Sequence, residues 1–312
     1  MNQHRLPSDV IGLSKVMPPL SRRGFMSSST AAAAGYTLAA GPVRADAIQT
    51  DTKGLNAGTA SVAVQGGNMP VYFARPANVA NPPVILVAME IFGLHEWVKD
   101  ITRRVGHLGA FAVAPNFYFR YETNGVDLTK IDDTQKLLSI VNAKSDTELF
   151  ADLDATVAWA KSQGGDTSRL GIIGFCRGGR NVWHYSTHNP NLKAGVAFYG
   201  TLIDKNDAAP KSTIDLAPEV KEPVLGLYGA EDAGIKVEQI NQMEAALKAA
   251  GKTAEFHIYP GAPHGFVADY RPSYRKEAAE DAWNNMTPEK RGRQIWRPLK
   301  RIIAISILLH HR

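Results

Sequence analysis

Residues 171–180 read GIIGFCRGGR, and they hold the single cysteine of a 312-residue chain. An apolar run over 170–174 leads into Cys176, and a glycine stands two residues to either side of it, at Gly174 and Gly178. A strand that reverses sharply into a helix needs small residues at those two places, because a side chain at either would meet the reversing backbone. The spacing is that of a nucleophile elbow, G-x-S-x-G, with a thiol where the hydroxyl stands. A lone cysteine is also a common packed core residue, so both readings of Cys176 stand until partners for the thiol are found.

Outward from the elbow, apolar runs alternate with amphipathic stretches, the pattern of an α/β fold. Strands are expected at 61–65, 70–74, 84–89, 111–114, 170–174, 194–198, 224–228 and 254–259. Helices are expected at 95–107, 146–162, 177–187, 235–249 and 273–283. The result is a mostly parallel, doubly wound sheet of about eight strands with helices on both faces. Its first two strands form an antiparallel hairpin, since VQGGNMP (64–70) is a turn with no room for a crossover helix. Neither a repeat nor a low-complexity linker divides residues 48–289, which read as one domain.

The net charge of +5 is carried by the ends. Residues 1–47 contribute +3 and residues 290–312 contribute +7, leaving 48–289 near −5, so the folded part is acidic and nucleic acid is not the expected partner. One cysteine rules out an intramolecular disulfide and a cysteine-rich metal site. Residues 1–47 have the form of a twin-arginine export signal: Arg22-Arg23 precede Phe25 and an Ala-rich stretch, and Ala45-Asp46-Ala47 is a small-x-small cleavage site. The apolar part is too short and too broken by Gly and Pro to remain as a membrane anchor. The expectation is a periplasmic or secreted protein beginning near Ile48, with a basic tail of unassigned role at 290–312.

In a doubly wound sheet, reactive groups collect after the carboxyl ends of strands. Asp232 follows the run VLGLYGAED, with Glu231 as the neighbouring alternative. His264 lies in YPGAPHGF, past the last strand, where Gly261, Pro263 and Gly265 surround it. His257 falls inside an alternating strand and reads as a half-buried sheet residue. His184 and His188 have metal-pair spacing but lack the glutamate of H-E-x-x-H and a third ligand, so they read as residues of the helix's C-terminal end. Cys176, Asp232 and His264 then occur in the order nucleophile, acid, histidine, which is the chain order of α/β-hydrolases.

Those three residues divide the chemistry. His264 takes the thiol proton and returns one to the leaving group, while Asp232 holds the imidazole tautomer and stabilises its charged form. The helix N-terminus beginning at Arg177 favours the thiolate. The backbone N–H groups of Arg177 and Ile91 are the expected donors to the oxyanion.

The segments MEIFGL (89–94), VAPNFYFR (113–120), GIIGFCRGG (171–179), YGAED (228–232) and GAPHGF (261–266) resemble the dienelactone hydrolases, over about residues 60–283. The resemblance implies the triad Cys176, Asp232 and His264. It also implies a glutamate, Glu90, that pairs with the resting thiol and helps deprotonate it when substrate enters. It further implies two arginines holding a substrate carboxylate. One matches Arg120, near Tyr118, but the other position is Ala268, with Arg271 three residues beyond; Arg120, Tyr118 and Arg271 are the substrate-binding candidates. Gly265 stands where the family has a serine. The chain is expected to be a cofactor-free, metal-free hydrolase of a small ester or lactone, with a monomer favoured and the oligomeric state left open. The rival readings are a broader carboxylesterase and a non-catalytic, redox-sensing protein on the same fold.

Overall fold

The computed structural model describes residues 47–286, apart from 123–125, 132 and 204–209. Both the export signal, up to Asp46, and the basic tail therefore lie outside the described residues. Eight strands form one sheet: β1 (Leu55–Val64), β2 (Gly67–Pro76), β3 (Pro83–Ala88), β4 (Phe111–Pro115), β5 (Asp166–Phe175), β6 (Leu192–Phe198), β7 (Val224–Gly229) and β8 (Ala254–Tyr259). Their spatial order is β1-β2-β4-β3-β5-β6-β7-β8. The β1–β2 and β2–β4 pairs are antiparallel, and every other pair is parallel.

The helices are α1 (Glu96–His107), α2 (Thr134–Ala143), α3 (Asp146–Ser162), α4 (Arg177–His188), α5 (Val237–Ala249) and α6 (Lys276–Met286). Every residue of β3 is fully buried, and the run PVILVA has no polar alternation, as befits a parallel strand covered on both faces. Helix α1 packs on β2 and β4, and α4 packs on β5 and β6. The N-terminus of α3 is built from SDTE: Ser145 Oγ accepts the Glu148 N–H at 3.1 Å, and Asp146 and Glu148 face the positive end of the helix.

Several element ends differ from expectation, β5 among them, which starts at Asp166 rather than 170, and one helix is added. Strand β1 starts at Leu55 rather than residue 61, because all ten of its residues pair with β2, from Leu55↔Pro76 to Val64↔Gly67. Helix α2 was not foreseen; its buried Leu137, Leu138 and Val141 lie on one face of a short segment. Helix α6 starts at Lys276 rather than 273, because the preceding residues are held in turns by Tyr274 N–H to Arg271 O and Arg275 N–H to Phe266 O.

Candidate active site

Strand β5 delivers Cys176 to the carboxyl edge of the sheet, and the backbone there is strained. Cys176 has φ 55° and ψ −118°, a left-handed conformation that a side chain other than glycine's adopts at a cost. The turn is held from both sides, by Cys176 N–H to Phe198 O (3.0 Å) and Arg180 N–H to Cys176 O (3.2 Å). The flanking glycines are required by contact: a Cβ on Gly174 would stand 2.1 Å from Gly178 O, and one on Gly178 would stand 2.0 Å from Ala88 O. Helix α4 therefore begins directly at the thiol, with its N–H groups at the sulfur end.

Asp232 follows β7 and is 2 % exposed, whereas its neighbour Glu231 faces solvent. One carboxylate oxygen of Asp232 accepts the N–H groups of Gly234 (2.8 Å) and Ile235 (3.0 Å). The other lies 2.7 Å from His264 Nδ1, the hydrogen bond that fixes the ring. Burial disfavours the imidazolium, but the charges of Asp232 and then of Cys176 outweigh it and raise the His264 pKa well above its ordinary value. The Nε2 atom is buried, and the Cys176 thiol bears on the ring by charge and by a side-chain hydrogen bond. Gly265, at φ 73°, occupies a left-handed position with Ser273 Oγ and Arg271 Nη1 about to meet any added Cβ (3.2 and 3.3 Å), which accounts for glycine there.

Glu90 and Ile91 follow β3 and are fully buried. Glu90 Oε2 accepts from Tyr270 Oη (2.8 Å) and Arg271 Nη2 (3.1 Å), and His95 Nε2 stands 3.7 Å away. Burial pushes the Glu90 carboxyl upward, yet Arg271, His95 and Tyr270 together hold it down to about 2. Oε1 has no hydrogen-bond partner, so it is Arg271 and Tyr270, not a thiol on Oε1, that occupy this carboxylate. Arg271 also lies over the Phe92 ring at 4.6 Å.

Three aromatic or imidazole residues join this centre without having been singled out in the sequence. Tyr199 follows β6 at φ 38°, meets the His264 ring edge-on at 4.9 Å, and buries an unpartnered hydroxyl. His95 precedes α1 and stacks on Trp97, with Tyr270 at 5.3 Å. Tyr270 adjoins Arg271. The strand-end rule applied to β6 points to Tyr199; no comparable signal marks His95.

Arg120 is placed elsewhere. It makes a two-pronged pair with Asp152 (2.8 and 2.7 Å) and bonds to Glu148 (2.9 Å) and Gln65 O (2.7 Å). Lys144 completes the network on Asp152 (2.6 Å). The guanidinium is thus spent on tying α3 to the β1–β2 turn, and a substrate carboxylate would have to displace a buried one. Tyr118 is 2 % exposed, with its N–H on Asn116. Arg120→Ala is expected to cost about 2–3 kcal/mol in urea denaturation, somewhat less than a fully broken buried pair because Lys144 stays on Asp152, with no change in preference between acidic and neutral substrates.

The other histidines take structural places. His184 is fully buried, 3.2 Å from Asp146 and 3.2 Å from Thr213 Oγ1, rather than at the solvated end of α4. Asp146 is pulled well below the usual carboxylate range, burial notwithstanding, by His184 and Arg180. His188 pairs with Asp154 at 2.7 Å, and His257, half-buried, with Glu255 at 2.7 Å. Among the described residues no group of His, Cys, Asp and Glu is placed to hold a metal ion, and no helix is long and apolar enough to cross a membrane.

An eight-stranded, mostly parallel sheet whose elbow, acid and histidine loops meet at one edge defines a hydrolase of the α/β-hydrolase fold. Residues 69–288 match the Dienelactone hydrolase family, and the chain belongs to it. It is 48% identical over 271 residues to a "Putative carboxymethylenebutenolidase" of Methylorubrum extorquens, covering 86% of this chain and 91% of that one. A protein of the same description from Escherichia coli is 45% identical over 83% of this chain and 95% of its own. The crystal structure of a "Putative Dienelactone Hydrolase" from Klebsiella pneumoniae superposes with a TM-score of 0.71 at 46% identity, covering 74% of this chain and 96% of that one. The protein is a carboxylic-ester hydrolase of this family.

Proposed function

We propose that the chain cleaves a small ester or lactone of the dienelactone type through a thioester acyl-enzyme on Cys176. The observation that carries this reading is the strained thiol at the N-terminus of α4, set beside an imidazole whose far nitrogen is anchored 2.7 Å from a buried carboxylate. The thiolate attacks the carbonyl carbon and His264 holds the proton. The backbone N–H groups of Arg177 and Ile91 receive the oxyanion, and His264 then protonates the leaving alkoxide. Water, deprotonated by the same imidazole, releases the acid and restores the thiol. A screen over lactones and p-nitrophenyl esters, with intact-mass detection of one acyl group per chain, tests it; a slow substrate that leaves no adduct on Cys176 would sink the thioester route.

A broad preference is favoured by a particular observation. Arg120 is committed to Asp152, and Ala268 replaces the second arginine, so Arg271 is the cation left among the substrate-binding candidates, and it already neutralises Glu90. Acidic and neutral esters are therefore expected to differ in kcat/KM by about ten-fold or less, one charge-assisted contact at most. That margin should vanish in Arg271→Ala and persist in Arg120→Ala.

The two charged centres also set the pH dependence of stability. His264 has a raised folded pKa, so its contribution is complete below about 6.5 and is lost as pH rises through the raised value. Glu90 is depressed, so its contribution is present above its ordinary 4.5 and is lost as pH falls toward about 2. Urea midpoints measured from pH 3 to 6 should fall on the acid side in the native protein, and that fall should be smaller in Glu90→Gln.

Export belongs to the same proposal: Arg22-Arg23 and Ala45-Asp46-Ala47 support transport of the folded chain by the twin-arginine route and a mature N-terminus at Ile48. Lysine at both arginines should strand the precursor in the cytoplasm, and N-terminal sequencing of the exported protein should begin at Ile48.

A further inference from the structure

The residues that follow the proposed cleavage point are strapped onto α1. Thr50 N–H and Oγ1 donate to the two oxygens of Asp100 (2.5 and 3.3 Å), and Arg103 Nε donates to Thr50 O (2.7 Å). His107 Nε2 meets Asp51 O at 3.0 Å. Arg104 joins this strap to the active-site loop: the same Nη2 reaches Ile48 O (3.4 Å) and Asp269 Oδ2 (2.6 Å). Asp269 is 6 % exposed, and its second oxygen, Oδ1, is buried without a hydrogen-bond partner. The next two residues, Tyr270 and Arg271, are those that hold Glu90.

The Ile48 N–H already bears on the Asp269 carboxylate as a backbone hydrogen-bond donor, and it is the atom that cleavage after Ala47 turns from an amide into an amine. We propose that cleavage between Ala47 and Ile48 is an activating modification: the α-ammonium it creates on Ile48 pairs with Asp269 and fixes the adjoining Tyr270 and Arg271 in the catalytic centre. In the cleavage, a signal peptidase adds water across the amide. The Ala47 carboxylate leaves with the signal, and the Ile48 amine takes a proton. The inference rests on the export reading. A chain exported folded would carry the uncleaved, weaker form until it reached its destination.

The groups facing Asp269 are Arg104 and Asp100 from α1 and Tyr274 from its own loop, while Arg103 and His107 face the rest of the strap. Burial holds the Asp269 carboxyl above its usual range despite Arg104, and a second cation would bring it back down. An α-amine ordinarily titrates near ~8. Paired, its value rises, so the gain is complete below pH ~8 and is lost as pH climbs through the raised value.

The test compares residues 48–312 made with a free Ile48 amine and the same chain Nα-acetylated, each with Asp269 and with Asp269→Asn. The readouts are kcat, KM and the pH profile on a p-nitrophenyl ester, and Tm as a measure independent of turnover. With Asp269, acetylation should lower kcat/KM about ten-fold at pH 7 and lower Tm, and both gaps should close at alkaline pH. Asp269→Asn should erase both gaps. Equal profiles and equal Tm for the free and acetylated chains would overturn the inference while leaving the hydrolase reading intact. An exported protein whose mass does not begin at Ile48 would overturn it as well. If neither chain hydrolyses ester, the hydrolase reading fails and the Tm comparison alone decides the ion pair.

Discussion

Cys176→Ala is expected to lower kcat by about ten-thousand-fold or more, because it removes the proposed nucleophile while the backbone donors and substrate binding remain. Cys176→Ser should recover little of this. A hydroxyl needs the imidazole to take its proton during attack, whereas the site as built, with His264 raised by Asp232 and Cys176, favours a proton already on the ring. Iodoacetamide should abolish turnover in step with alkylation of Cys176, the one thiol of the chain. The variants should keep their fold. Cys176→Gly is expected to gain about 1 kcal/mol from relief of the left-handed strain at φ 55° even as activity disappears. A stable, inactive glycine variant separates the chemical role of the residue from its packing; hydrolysis surviving in Cys176→Ala would remove the mechanism.

The order of apolar runs carried the sheet. The central parallel strands were readable because strands buried on both faces are continuous apolar runs, as PVILVA in β3 is, whereas β1, β2 and β8 were read from alternation and from the turn at 64–70. Boundaries were less legible. Residues 55–60, LNAGTA, lack an apolar run and become a strand because β2 offers ten partners. Helix α2 is capped by Asp133, whose Oδ1 accepts the Lys136 N–H at 3.3 Å, but at ten residues it depends on tertiary burial of Leu137 and Val141.

The candidate site was legible where local geometry has a sequence signature. The glycines around Cys176 and the small residues after β7 and β8 report backbone approaches that only those residues permit. Long side chains were harder. Arg120 stands in a segment that resembles the family's, yet its guanidinium is drawn 32 residues along the chain to Asp152, a partner that no local pattern announces. Arg271 instead reaches Glu90, 181 residues away, because turns after β8 fold the segment from Gly265 to Tyr274 back over the strand ends. Tyr199 and His95 enter for the same reason: their neighbours are set by topology, not by spacing.

Gly178→Ala is the second large effect expected. A Cβ there would stand 2.0 Å from Ala88 O and 2.8 Å from Met89 O, both backbone atoms at the end of β3, so no rotamer change can relieve the overlap. Either β3 or the first turn of α4 must move by an ångström or more. Such a shift costs about 3–5 kcal/mol in a packed interior. The same movement separates Ile91 from Arg177, the two proposed oxyanion donors, because the glycine sits between the strand end that carries one and the helix turn that carries the other. Folded Gly178→Ala should therefore retain thiol alkylation while losing about a hundred-fold or more in kcat, the effect of one misplaced donor. Gly251→Ala is the control: that glycine also has positive φ, at 68°, but a Cβ on it meets nothing within 4 Å. Its cost should be the left-handed backbone alone, about 1 kcal/mol, with kcat unchanged. Equal urea midpoints for the two variants would mean that α4 and β3 do not approach as closely as the structure has them, and the elbow would lose its physical basis.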